Sequence, residues 1–240
     1  MKKIISILLC CLIIGVMNAQ TEAGRKGVWD FPVKPGSVEW ASFTTGQQMR
    51  DACQIPPNIL EALSTRDLVE ICLNYPMWLD YTASNDERTG ISYMIKRFNG
   101  LNELIERRDG VFELINAYKE YPVLTQIQQE SSKDFYTPYK LPFLELLLAD
   151  DAFIKQLNEQ ESAELAKIVV EKYALKVENT HVYSLWNIRN TFLLGAVNMF
   201  NYSMAEKTPQ QQETIKRFIE SYRYYDETLL TEMSKIISGL

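Results

Sequence analysis

From Phe43 to the C-terminus, apolar residues recur at three- and four-residue spacings. No stretch sustains the period-two alternation between tight Asn-Gly or Asp-Gly turns that marks a pair of strands. The pattern therefore predicts helices almost throughout. Their starts are marked as well. Thr45 with Gln48, Ser64 with Asp67, Ser84 with Glu87, Asn158 with Glu161 and Thr208 with Gln211 share one form, a capping side chain followed three residues later by an acid or amide that reaches back to the cap. Pro209 adds a proline at a first helical position, where its missing N–H is not needed. The fold class read from these signals is all-α.

Three segments of equal length align without gaps: Leu68–Phe98, Phe143–Tyr173 and Phe192–Tyr222. Their first halves match Leu68, Val69, Cys72 and Leu73 with Phe143, Leu144, Leu147 and Leu148, and with Phe192, Leu193, Ala196 and Val197. A bulky aromatic follows at Trp78, Phe153 or Tyr202. The second halves carry an i, i+3, i+4, i+7 stripe: Ile91, Met94, Ile95, Phe98; Ala166, Val169, Val170, Tyr173; Ile215, Phe218, Ile219, Tyr222. Each segment is a candidate helix–turn–helix hairpin, and a fourth runs through 101–121, turned at Arg108-Asp109-Gly110. The predicted architecture is stacked antiparallel helical hairpins, either α-solenoid-like or an irregular helical bundle. It resembles HEAT-like repeats, without a diagnostic signature.

Ahead of this body, residues 20–42 hold isolated aromatics (Trp29, Phe31, Trp40) with Gly and Pro and no clear period, which predicts an extended lead segment whose aromatics dock on the main domain, 43–240. Residues 1–19 combine Lys2-Lys3, an apolar run from Ile4 to Met17 and Ala19, the parts of a signal peptide cleaved after Ala19. The run is shorter than the about 20 apolar residues of a membrane span, so no transmembrane segment is expected after cleavage. The short basic start and the Asn-Ala-Gln junction resemble exported proteins of Gram-negative bacteria, which implies the periplasm or the cell surface.

Charge and composition narrow the chemistry. The 240-residue chain has a formal charge of −6; the leader removes two lysines and no acid, so the mature form carries −8. An acidic chain of pI near 5.1 lacks the phosphate-neutralising surplus of Lys and Arg that nucleic acid requires. One histidine, His181, excludes sites built on two or three imidazoles. It lies in Glu178-Asn179-Thr180-His181, read as a helix start, where a solvated side chain is ordinary. The two cysteines left after cleavage, Cys53 and Cys72, allow one disulfide in an oxidising compartment, or two small buried hydrophobes. No EF-hand, phosphate loop, GxSxG elbow or CxxC pair occurs, and neither a metal nor a cofactor is expected.

Glu145 with Asp150-Asp151 is the one carboxylate group suited to acid–base work, and its acids read first as local turn and helix-start choices. Aromatics crowd three places: Tyr222, Tyr224 and Tyr225; Phe135, Tyr136 and Tyr139; Tyr183 and Trp186. Tyr and Trp present a flat apolar face with a polar handle, suited to protein or carbohydrate contacts. Tyr183, Trp186, Asn187, Arg189, Tyr222, Arg223 and Tyr224 are accordingly the candidate binding residues, with Asn190 beside them.

The strings Ile55-Pro56-Pro57, Leu63-Ser64-Thr65, Leu68-Val69-Glu70, Leu73-Asn74-Tyr75-Pro76 and Phe98-Asn99-Gly100-Leu101 resemble those of an uncharacterised group of secreted bacterial all-helical proteins. That resemblance covers roughly the first half of the mature chain and brings no catalytic residues. The expectation is an exported helical-repeat protein that uses a groove to bind another protein or a cell-envelope component. The alternatives are a small carboxylate-dependent periplasmic or surface enzyme acting on glycans or peptides, or a carbohydrate-binding module that takes a glycan on its Tyr and Trp clusters.

Overall fold

Side-chain caps set where most helices of this chain begin. In the computed structural model, which describes residues 29–125, 128, 130 and 137–239, Thr45, Asn158 and Thr208 each form a reciprocal capping box with Gln48, Glu161 and Gln211, and Ser64 accepts from the Asp67 amide. The fifth expected start is displaced. Asp86 rather than Ser84 caps the helix, because residues 78–83 form a 3₁₀ turn that ends at Ser84. The described helices are α1 (Val38–Ser42), α2 (Gly46–Ala52), α3 (Pro57–Ala62), α4 (Thr65–Leu73), α5 (Glu87–Arg97), α6 (Asn99–Glu106), α7 (Gly110–Glu120), α8 (Thr137–Leu148), α9 (Asp151–Ile154), α10 (Glu159–Glu178), α11 (Leu185–Tyr202), α12 (Pro209–Ser221) and α13 (Glu227–Ser238). A second 3₁₀ turn spans Met204–Glu206, and no strand occurs among the described residues. None of these helices is long and apolar enough to cross a membrane. Residues 1–28, with the expected leader and Cys10 and Cys11, and the Phe135-Tyr136 pair lie outside the described residues.

Residues 31–240 form one unit; of residues 1–30, only Trp29 and Asp30 are described. The lead segment is less extended than its composition implies, since Ser37 caps the one-turn helix α1. Phe31 is buried, with its ring 6.1 Å from those of both Tyr75 and Phe98, which stack on each other at 4.1 Å. Several strings behind the family resemblance meet at this point. The Asn99 side chain accepts from Ile55 N at 2.9 Å and donates to Ile55 O at 2.8 Å, satisfying the backbone of a residue that has no helical partner. Arg107 closes the same region by donating to the carbonyls of Leu60 and Leu63 at the end of α3.

All twelve first-half positions of the three aligned segments are buried. Their helices do not all pair as hairpins, however. The α11–α12 and α6–α7 pairs pack against each other, whereas α4 packs mainly on α6 and α7, and α8 on α7 and α11. The centre is α11, which is covered by α8, α10, α12 and α13 and buries every residue from Ile188 to Met199. A helix buried on all sides needs neighbours all round it, and that requirement gathers the second half of the chain into a bundle about α11.

Candidate functional site

The seven sequence-predicted binding residues separate into an inner group and an outer group. Tyr183 is buried, and its hydroxyl accepts from the Leu124 amide at 2.8 Å. Asn187 turns its carbonyl inward to Lys176 Nζ at 3.2 Å. Arg189 and Tyr222 are buried too, at 4% and 3% exposure. Trp186, at 53%, and Tyr224 are exposed, so Tyr183, Trp186, Tyr222 and Tyr224 do not make the open aromatic platform that glycan stacking on this cluster would need. The reason is local. Residues 188–190 lie on the all-buried stretch of α11, and Tyr222 closes the buried stripe of α12.

Arg189 instead joins the outer group into a stack. Its guanidinium carbon sits 3.8 Å from the Trp186 ring centroid and 4.3 Å from that of Tyr222, with Glu87 Oε2 3.6 Å from Nη2. The single Tyr222 hydroxyl proton lies between two acceptors, Glu87 Oε2 at 2.9 Å and the Asn190 side-chain oxygen. Burial, reinforced by the nearby Glu87 carboxylate, pushes the Tyr222 phenol well above its ordinary range. Arg223 stacks on Tyr224 at 4.6 Å on the exposed turn that follows.

The inner group surrounds an ion pair that the sequence reading missed. Lys176 Nζ lies 2.8 and 2.7 Å from the two Glu145 oxygens and 2.9 Å from Thr191 Oγ1; Tyr118 and Thr191 both donate to Glu145 Oε1. Lys172 donates to the carbonyls of Lys119 and Tyr121. Burial pulls the Lys176 ammonium below the ordinary lysine range, against the opposing pull of Glu145. The signal was present in the sequence. Leu165, Val169, Lys172 and Lys176 follow one helical line, so the buried face of α10 runs through two lysines. The aligned stripe of Ala166, Val170 and Tyr173 is only half-buried.

Glu145 is therefore spent in the core and does not join Asp150 and Asp151. Those two line an open groove of about 600 Å³ between α5 and the α8–α9 turn, together with Asp86, Arg88, Ser92 and Tyr93. Each groove carboxylate is already engaged. Asp86 accepts from the Arg88 amide and the Thr89 hydroxyl, Asp150 from the Ala152 amide and from Ser92 at 2.6 Å, and Asp151 pairs with Lys155 at 2.6 Å. Arg88 donates to the Ile219 carbonyl. The groove thus holds fixed hydrogen-bonding groups and no isolated acid–base pair.

His181 lies in the exposed turn after α10 rather than at a helix start, because Asn179 ends that helix. Cys53 and Cys72 are buried free thiols and form no bridge. No group of three or more His, Cys, Asp or Glu side chains suited to a metal occurs among the described residues. No protein family, curated protein or solved structure matches this chain.

Proposed function

We propose that the protein is exported to the periplasm or cell surface and acts there as a binding protein, its groove holding a protein or cell-envelope partner without chemical change. One observation carries this reading: the groove between α5 and the α8–α9 turn is large enough for a ligand, and all three of its carboxylates are tied into helix caps or an ion pair. Acceptors fixed in this way orient a partner.

The test compares the immobilised full chain with two groove variants, Tyr93→Ala and Lys96→Glu, both at exposed positions of the lining. Wild type is expected to retain an envelope component that both variants release, while their circular dichroism stays unchanged. Retention indifferent to both substitutions, or turnover of a glycan or peptide that is abolished by Asp150→Asn, would overturn the proposal. Intact mass of the exported form addresses location separately, with loss of residues 1–19 expected.

A further inference from the structure

We infer that the occupant of the groove is a neutral saccharide; the inference rests on the groove being the contact surface proposed above. Charge is the first argument. The lining carries three carboxylates, Asp86, Asp150 and Asp151, against Arg88 and Lys96. Lys155 neutralises Asp151 from outside the lining. Asp86 caps the start of α5, where aligned peptide dipoles place partial positive charge. What remains is close to neutral, so neither a cationic nor an anionic headgroup is favoured.

Hydrogen-bonding capacity is the second argument. Eight of the twelve lining residues carry a hydroxyl, carboxylate, amine or guanidinium. A carboxylate has about four acceptor positions, of which Asp86 and Asp150 each use two in the contacts above. The caps fix these carboxylates, and the Lys96 ammonium adds donors to the same lining. A ligand whose every hydroxyl both donates and accepts matches such a mixed surface. A neutral peptide backbone offers one donor and one acceptor per residue, a sparser match to eight polar side chains in one groove.

Tyr93 supplies the third argument. Its ring is 51% exposed at the groove wall, and Arg97 holds it from 5.3 Å. An exposed ring that is already held in place offers an apolar face for the C–H side of a sugar at little cost in ordering. The groove volume leaves room for a few sugar units.

The experiment is calorimetric titration of the full chain with cellohexaose, maltohexaose and hexa-N-acetylchitohexaose, alongside an anionic oligogalacturonate and a cationic chitosan hexamer. At least one neutral oligosaccharide is expected to bind saturably. Tyr93→Ala should weaken that binding about tenfold or more, the scale of a buried aromatic contact, and Tyr224→Ala, outside the groove, should leave it unchanged. Absence of neutral binding up to about 10 mM, a range that still detects very weak complexes, would overturn the inference. So would preference for a charged oligomer, or indifference to Tyr93→Ala. Tyr93-dependent retention of a protein with no sugar bound would overturn the saccharide alone and leave the groove as a binding surface.

Discussion

Lys176 Nζ lies 2.7 Å from Glu145 Oε2, and neither side chain has any exposed surface. The pair joins α10 to α8, and Thr191 ties both to the central helix α11. Its contribution is of a particular kind, because taking two charges out of water offsets much of their attraction, whereas removing one partner leaves the other charge buried alone.

Lys176→Met should therefore destabilise the protein by about 3–5 kcal/mol, read from the midpoint of urea unfolding. Glu145→Leu combined with Lys176→Met should recover part of that loss, since no buried charge remains. Recovery is limited because Tyr118 and Thr191 lose their acceptor, at about 1–3 kcal/mol for each unsatisfied hydroxyl. A single Lys176→Met as mild as an ordinary surface change would contradict the network.

Two glycines separate backbone crowding from side-chain crowding. A Cβ on Gly110 would fall 2.0 Å from the Leu104 carbonyl oxygen, which cannot move without parting α6 from α7. On Gly195, inside α11, it would fall 2.4 Å from Ile237 Cδ1, the end of a side chain that can rotate. Gly110→Ala should cost about 2–3 kcal/mol, the upper range for overpacking. Gly195→Ala should cost less, helped by the about 1 kcal/mol that Ala gains over Gly within a helix. Thermal unfolding of both variants decides it, and the reverse order would contradict the packing described.

The helices and most of their starts were legible because capping and 3.6-residue periodicity act locally: Thr45, Asn158 and Thr208 cap as their spacing requires. Pairing between helices was not, because similar apolar stripes fit many partners. The stripe shared by Leu68, Phe143 and Phe192 marks burial in all three segments, yet the helices that cover it differ. Aromatic clustering found Trp186, Arg189 and Tyr222, which do meet, but misplaced Tyr183, which faces the core, and Asn187, which gives only its backbone carbonyl to Lys176. Groove residues such as Asp86 and Tyr93 left no local signal. Their convergence with Asp150 depends on how α5 meets the end of α8, across more than fifty residues of sequence.

Arg189 offers a test of what holds the outer stack. Its Nε and Nη1 are buried without a hydrogen-bond partner, and its nearest acid, Glu87, is 3.6 Å away. Flat contact with Trp186 and Tyr222 should therefore contribute more than the ion pair. Arg189→Lys keeps the charge but loses the planar stack and buries a more strongly hydrated ammonium. It should cost about 1–3 kcal/mol, the sum expected for two partly desolvated cation–π contacts. Arg189→Met keeps an adaptable apolar contact without a buried charge and should cost less than Lys. Urea unfolding that ranks Lys above Met would show that the Glu87 pair dominates.

The buried thiols set an alkaline limit. Burial, with a smaller push from Asp80, raises the Cys53 thiol from its ordinary 9.0 to about 11, and burial raises Cys72 further despite Arg107. A raised folded-state pKa means that the folded chain binds more protons than the unfolded chain across the interval between the two values. The stability contributed by Cys53 is thus complete below pH 9.0 and is lost as pH rises toward about 11. Wild type should weaken between about pH 8 and about pH 10.5, and Cys53→Ala should show a shallower decline. Both thiols should resist iodoacetamide in the native protein at about pH 8, since the thiolate is the reactive form. Both should label in urea without reductant, because the two cysteines are not bridged. Labelling that requires reductant would reveal a disulfide, and rapid native labelling would contradict their burial.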